Sequence, residues 1–133
     1  MQARESLVEL AYSDDAALVS SAISALGDMA WPAVAAELAH LFPSLKSEVH
    51  QHECCVALGK TQNPEAVPIL AKVLRSSGFL GRFGGKKPEV RAAAAWALGQ
   101  IGTEDAINAL HRSADDRDTN VRAAVHQALQ RLQ

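Results

Sequence analysis

The sequence predicts an all-α fold, a right-handed α-alpha superhelix of about eight helices, and three observations support this prediction. A tripeptide of alanine, leucine and glycine recurs at residues 25–27, 57–59 and 97–99, and a degraded copy, Ala-Leu-Gln, stands at 128–130. Before the third copy, small and apolar residues recur at helical spacing, namely Val90, Ala93, Ala94, Ala97, Leu98 and Ile101. The composition is 48% hydrophobic but only 5% aromatic, which favours helices packed at close range over a sheet sandwich.

Start and stop signals indicate the individual helices in order. We expect helices near residues 4–13, 16–28, 31–42, 48–60, 64–76, 88–101, 104–114 and 120–132. Asn63 and Thr103 are typical N-cap residues, and Pro32 suits a first helical turn. Gly102 suits a left-handed C-cap, while Pro68 removes a backbone donor and should kink the fifth helix slightly.

The length of 133 residues fits a single domain, 1–133, made of repeats. We expect a leading half-repeat at 4–13, repeats at 16–44, 48–76 and 88–114, and a terminal helix at 120–132. The interval between the second and third tripeptides is 40 residues, against 32 and 31 for the other two. Residues 77–87 are therefore predicted to be an inserted loop.

The segment 88–118, PEVRAAAAWALGQIGTEDAINALHRSADDRD, resembles one unit of the HEAT-like repeat named after phycobilisome bilin lyases (PBS lyase HEAT-like). The residues that match its pattern are Val90, Arg91, Ala94, Ala95, Ala97, Leu98, Gly99, Ala106 and Leu110. The resemblance implies a HEAT-like, armadillo-like α-solenoid with an extended concave face. It also implies that Arg91 and Arg122 are structural, and Asp118 lies within reach of Arg122 on one helix face.

By the same resemblance, certain positions of the Ala-Leu-Gly helices point outward on the concave face. These lie six and two residues before the leucine and two after it, so they share one helical stripe. The candidate partner-binding residues on this stripe are His52, Val56, Lys60, Trp96 and Gln100. An exposed indole at Trp96 is typical of a binding hot spot, and the alternative is an indole packed against the next repeat.

The inserted loop adds apolar and basic candidates for partner binding, namely Phe79, Arg82, Phe83, Lys86 and Lys87. Residues 75–91 hold five basic side chains against one acidic, whereas residues 1–44 hold one basic against six acidic. The charge is therefore polarised along the chain. The alternative for the loop is a solvated turn whose phenylalanines pack on adjacent helices.

These features predict a non-enzymatic scaffold that binds a protein partner through the concave face and the 77–87 loop. One alternative is a bilin lyase subunit or relative that handles a tetrapyrrole or a phycobiliprotein. Another is nucleic-acid binding by the basic loop, which the net charge of -2 does not favour. Because solenoid ends normally carry a polar cap, the uncapped C-terminal helix indicates either that the chain is a fragment of a longer protein or that its last face pairs with another copy.

The segment VHQHECCVALG around His52 and Glu53 is similar to the His-Glu segments of deoxyhypusine hydroxylase, a HEAT-like enzyme that holds two irons. That resemblance implies several repeats, each with a His-Glu pair directed at the metals. Here the equivalent positions are Ser20-Ser21, Ala92-Ala93 and Ala123-Ala124, so only one pair is present. We therefore expect no hydroxylase chemistry, no catalytic residue and no cofactor.

Cysteine and histidine spacing gives no complete metal site. His50 with Cys54, or His52 with Cys55, would share a helical face, but each pair stops at two ligands where zinc needs three or four. Adjacent cysteines in a helix cannot bridge without strain, so we expect reduced, buried thiols and a cytoplasmic location. The sequence has no apolar run long enough to span a bilayer, so no membrane association is expected.

Overall fold

The computed structural model describes residues 2–76 and 85–133, and these contain eight α-helices and no strand. The helices are α1 (Gln2–Ala11), α2 (Ala16–Met29), α3 (Pro32–Leu41), α4 (Glu48–Thr61), α5 (Val67–Leu74), α6 (Pro88–Ile101), α7 (Glu104–Arg112) and α8 (Thr119–Arg131). The predicted fold class is confirmed, and the predicted helix bounds lie within a few residues of those observed.

Side-chain caps explain where the inner helices begin. Asp15, Ser47 and Asp118 accept hydrogen bonds from backbone N–H groups in the first turns of α2, α4 and α8. Thr103 caps α7 as expected, accepting from the Ala106 N–H at 3.3 Å. Since Asp118 is occupied in this way, it does not pair with Arg122 as the sequence suggested.

The left-handed residue that follows each of three inner helices explains where they end. Gly102 has φ 67°, which confirms the predicted C-cap of α6. Ala30 and Gln62 adopt φ 52° after α2 and α4, at a cost of about 1 kcal/mol each for a residue with a Cβ. The Ala30 and Gln62 amides return hydrogen bonds to the carbonyls of Gly27 and Gly59, which offsets part of that cost.

Pro68 determines the form of the fifth helical segment. The predicted helix 64–76 is divided into a short 3-10 turn, Pro64–Ala66, and an α-helix that begins at Val67. Pro68 thus occupies the first α-helical turn, where its missing N–H has no intrahelical partner to lose. The segment therefore changes from a 3-10 turn to an α-helix, and the slight kink at Pro68 stays a prediction.

The helices form two layers. α2, α4, α6 and α8 pack side by side in that order and make up the inner layer. α1 packs on α2, α3 on α4 and α5 on α6, while α7 contacts both α6 and α8. The core between the layers contains fully buried leucines, among them Leu38, Leu58, Leu70 and Leu98.

The repeated tripeptide sets the distance between inner helices. A Cβ atom on Gly27 would come within 2.8 Å of the Ala57 Cβ, and one on Gly99 within 2.8 Å of the Ala128 Cβ. A Cβ on Gly59 would come within 2.9 Å of the Ala97 Cα. Each glycine therefore packs on the alanine of the following copy, and both residues must be small for the helices to approach this closely.

A buried arginine joins α6 to its neighbours. Arg91 is 4% exposed; its Nε donates to the Leu74 carbonyl at 2.8 Å, and its guanidinium forms an ion pair with Asp116. Gln51 in α4 and Arg122 in α8 hold the equivalent position and donate to the carbonyls of Leu45 and Asp116. The predicted structural role of Arg91 and Arg122 is thus explained.

The charge state of Asp116 follows from the same cluster. Burial acts to raise the pKa of its carboxyl group, but this is outweighed by opposing contributions. Hydrogen bonds from the Arg91 side chain and the Asp118 N–H, together with the charges of Arg91 and Arg122, lower the pKa of Asp116 below its usual value. Asp116 is therefore ionised at neutral pH.

Among the residues that the structure describes, none of the helices has the length and apolar character needed to cross a membrane.

Candidate functional site

The predicted stripe lies along one face of the inner layer, and its first half is internally paired. The Ser20 hydroxyl in α2 donates to Glu53 Oε1 in α4 at 2.8 Å. Lys60 in α4 lies 2.8 Å from Asp28 in α2. Each pair connects α2 to α4, so the exposed face is continuous across these two helices.

His52 lies at the centre of this surface. Its side chain is exposed on α4 and lines the groove between α2 and α4 as well as the groove between α4 and α6. Glu53, the next residue, is half-buried and turned toward α2 by its hydrogen bond with Ser20. Imidazole and carboxylate are therefore both accessible from the grooves on either side of α4.

Trp96 combines the two alternatives that the sequence left open. Its indole lies across α4, since a Cβ on Gly59 would come within 2.8 Å of the Trp96 ring. The side chain nevertheless remains 39% exposed. The indole is thus fixed on one face and presented to solvent on the other, and its role in partner binding stays a prediction.

The groove between α4 and α6 has one wall from each helix. Val56 lies on the α4 side, and Ala92, Ala93 and Trp96 line the α6 side of a groove of about 380 Å³. Gln100, one turn beyond Trp96, is half-buried. Since alanines stand where the resemblance would put a second His-Glu pair, the α6 wall is recessed beside the indole.

Glu89 is a residue of this groove that the sequence analysis missed. It lies in the first turn of α6 and lines the groove together with His52 and Trp96. The adjoining groove contains Glu48 and Glu53 as well. The sequence could have identified Glu89, because Glu89, Ala92 and Trp96 have i, i+3, i+7 spacing and therefore share one helix face.

The loop candidates divide into two groups. Phe79, Arg82 and Phe83 lie outside the described residues. Lys86 is half-buried, with its Nζ 5.3 Å from the centre of the Phe42 ring, a distance typical of a cation-π contact. Lys87 is exposed and immediately precedes α6. Only Lys87 of the described pair is fully available to a partner.

The two thiols are free and buried, as the sequence predicted. The Cys54 Sγ donates to the Leu38 carbonyl at 3.5 Å. Burial raises the pKa of Cys54 well above its usual value, and the neighbouring Cys55 adds to that effect. Burial also raises the pKa of Cys55 to about 12, although Lys86 acts in the opposite direction. Both thiols are therefore protonated at neutral pH.

The described residues do not fit a complete two-iron centre. Residues 2–76 and 85–133 contain no group of three or more His, Cys, Asp or Glu side chains that could hold a metal ion. The His50 Nε2 lies 3.1 Å from the Ala16 carbonyl, so this imidazole is turned toward the start of α2. His52 and Glu53 are thus one potential ligand pair without a second pair beside it.

Comparison with known proteins gives one consistent result. A family model of HEAT repeats matches residues 77–133. Deoxyhypusine hydroxylase of Saccharomyces cerevisiae is 33% identical over 96 residues, covering 71% of this chain and 27% of that protein. The enzyme of the same name from Arabidopsis thaliana is 36% identical over 88 residues, covering 65% of this chain and 26% of that protein. The chain therefore spans about a quarter of the length of these curated relatives.

The structure gives the same relationship. Human deoxyhypusine hydroxylase in complex with glycerol matches with a TM-score of 0.81 and 30% identity, covering 98% of this chain and 42% of the human chain. Since the homologues are enzymes, the prediction of a non-enzymatic scaffold is wrong, and the bilin and nucleic-acid alternatives gain no support. The narrower bilin-lyase type of repeat stays a prediction. The chain thus contains HEAT repeats, and the homologues found for it are deoxyhypusine hydroxylases.

Proposed function

We propose that this chain is a module of a hydroxylase related to the deoxyhypusine hydroxylases, with His52 and Glu53 as its contribution to the metal site. The observation that carries the proposal is the position of this pair. It lies on the inner helix α4, accessible from the grooves on both sides, in a fold that aligns with the human enzyme over 98% of the chain.

The described residues of one chain do not supply a full set of metal ligands, so the proposal takes the remaining ligands from a second copy. Each copy brings a single His-Glu pair, so two copies would provide two pairs. A cytoplasmic location fits the proposal, because both thiols are free.

The proposed reaction replaces a C–H bond of the substrate side chain with C–OH. One atom of dioxygen enters the product, and the other leaves as water after uptake of two electrons from a reductant and two protons. In this chain, Ser20 orients the Glu53 carboxylate by hydrogen bonding, and α4 holds the exposed His52 imidazole beside it.

The test uses the 133-residue chain with Fe(II), dioxygen, ascorbate and a protein fragment carrying deoxyhypusine. Mass spectrometry should detect the gain of one oxygen atom, with a rate that rises as the square of the chain concentration while copies are dilute. His52→Ala should lower the rate by about a hundredfold or more, on the scale found for lost positioning of a catalytic group. His111→Ala, an exposed histidine on the outer helix α7, is the matched control.

Two outcomes would contradict the proposal. One is turnover in His52→Ala equal to that of the folded wild-type chain. The other is the absence of oxygen incorporation at every chain concentration when circular dichroism shows native helix content.

A further inference from the structure

A pocket of about 360 Å³ lies between two turns of the helix stack, the turn from α1 to α2 and the turn from α3 to α4. Its floor is apolar and includes the buried Val19, while its rim carries Tyr12, Asp14 and Lys46. The pocket shares no lining residue with the grooves on either side of α4. It is therefore separate from the site around His52.

The position of this pocket corresponds to a place that an arginine side chain fills elsewhere in the stack. Val19, Gln51, Arg91 and Arg122 stand at the same position of α2, α4, α6 and α8, seven residues before the leucine of each tripeptide. The three polar side chains each donate to a carbonyl of the segment before their own helix, and Arg91 also reaches Asp116 in the turn after α7. Valine is too short to connect two turns and has no donor, so the corresponding space beside α2 is open.

The pocket offers acceptors of the kind that hold Arg91, a backbone carbonyl and a carboxylate. Tyr12 and Ser13 line it, and their carbonyls receive no backbone N–H hydrogen bond among the described residues. Asp14 is exposed at the rim and forms no ion pair within the part of the chain that the structure describes. These groups remain available to a ligand that donates hydrogen bonds.

The charge around the pocket favours a cation over an anion. Lys46 would attract an anion, but it is exposed, and its long side chain can extend into solvent. Asp14 lines the same rim, and the Asp15 carboxylate already offsets the helix dipole at the start of α2 by accepting from two backbone N–H groups. Residues 1–44 as a whole hold six acidic side chains against one basic.

We propose that this pocket binds a guanidinium group, held by the Asp14 carboxylate and the free carbonyls of the α1–α2 turn and covered by the Tyr12 ring. A guanidinium is planar, carries several N–H donors and stacks on aromatic faces, so it suits acceptors arranged above an apolar floor. The Tyr12 side chain is 47% exposed, which leaves its ring accessible for such stacking. The pocket thus accepts from outside the group that α6 provides from its own chain.

The inference goes beyond the proposed function and does not rest on it, because neither His52 nor Glu53 lines the pocket. A free arginine derivative and an arginine side chain of a protein offer the same chemistry. Binding can therefore be measured without iron or dioxygen, and the two sources can be compared directly.

The experiment follows the ring signals of Tyr12, the only tyrosine of the chain, by NMR of a sample with isotope-labelled tyrosine. L-argininamide is one probe, an acetylated peptide with a single arginine is the second, and L-citrullinamide is the analogue with a neutral urea group. Both arginine probes should shift the signals with saturation, and L-citrullinamide should not. Tighter binding of the peptide would identify a protein side chain as the source, and tighter binding of L-argininamide a free guanidinium compound.

Single substitutions identify the contacts. Asp14→Asn should weaken binding of L-argininamide about threefold, the size expected when one exposed charge is lost. Val19→Arg should fill the pocket from within the chain, so L-argininamide should no longer shift the Tyr12 signals. Asp105→Asn, which changes an exposed acid on α7, is the matched control and should bind as wild type.

Equal affinity of Asp14→Asn and wild type, or equal binding of L-citrullinamide, would overturn the inference. Saturable binding at Tyr12 in a folded Val19→Arg chain would do the same. Because Asp14 lies in an exposed turn, its substitution decides the question even if Val19→Arg does not fold. Guanidinium binding without turnover would contradict only the hydroxylase proposal, and turnover without guanidinium binding would contradict only the pocket.

Discussion

The junction between α2 and α4 and the junction between α4 and α6 have the same backbone packing but different surfaces. In the first, Lys60 pairs with Asp28 and Glu53 accepts from Ser20, so charged and polar groups satisfy one another. In the second, the helix facing α4 offers alanines and an indole, and Glu89 stays without an ion-pair partner in the described residues. Repeats with the same helix packing can thus differ in surface chemistry, because the core residues determine the packing and the stripe residues determine which groups are exposed.

The largest expected effect is on the stability of α6, the helix that distinguishes the second junction, and it follows from loss of the Arg91 ion pair. Arg91→Met should destabilise the fold by about 3 kcal/mol, since Asp116 would keep a partly buried charge without its partner. The measurement is urea denaturation followed by circular dichroism. Arg122→Met, at a half-buried position with one carbonyl contact, should cost less.

The sign of the pH dependence of this pair is determined by Asp116. Because the folded pKa of Asp116 is lowered, its contribution is present above the unfolded carboxyl value of about 4 and is lost as pH falls through the folded pKa. The stability difference between wild type and Arg91→Met should therefore shrink below about pH 4. A difference that stays constant as the pH falls well below 4 would contradict the assignment.

An intermediate effect should distinguish the two junctions directly. Gly59→Ala should cost about 1 to 2 kcal/mol, because the new methyl group meets the Ala97 backbone and the Trp96 ring. Gly27→Ala should cost a similar amount through Ala57. Only Gly59→Ala should change Trp96 emission, measured in a Trp31→Phe background that leaves Trp96 as the only tryptophan of the chain. A spectral change in both variants would mean that the junctions are coupled.

The smallest effect concerns the pair on the α2–α4 surface. Lys60 and Asp28 have side chains that are 42% and 66% exposed, so the coupling in a double-mutant cycle of Lys60→Met and Asp28→Asn should be about 0.5 kcal/mol. It should fall further in high salt. A coupling above about 2 kcal/mol would indicate a pair shielded from solvent, contrary to the observed exposure.

Much of the fold followed from local signals in the sequence. The caps at Thr103 and Gly102 and the period of the tripeptide placed the helices within a few residues, because these signals act over one or two turns. The C-caps at Ala30 and Gln62 were not predictable, since neither residue favours a left-handed backbone. The division of the fifth helix at Pro68 required knowledge of where the α-helical turn begins.

The candidate site was predicted less completely, for a different physical reason. The stripe rule found His52, Val56 and Trp96, because it needs only helical spacing. It missed Glu89. The four-residue spacing placed Asp118 within reach of Arg122, but Asp118 is engaged as an N-cap. The non-enzymatic interpretation depended on finding only one His-Glu pair in this sequence, whereas the homologues that overturn it are enzymes.

Each inner helix contacts the following inner helix through its glycine and the preceding one through its alanine, so the two sides of a helix are not equivalent. Gly99 receives Ala128 as Gly59 receives Ala97, whereas α8 carries Gln130 at the corresponding place. A duplicate of residues 88–118 inserted after position 118 would present its own alanine to Gly99 and its own glycine to α8. Such tandem duplication would lengthen the inner layer without changing the contacts between its helices, and it would place a second indole over Gly99.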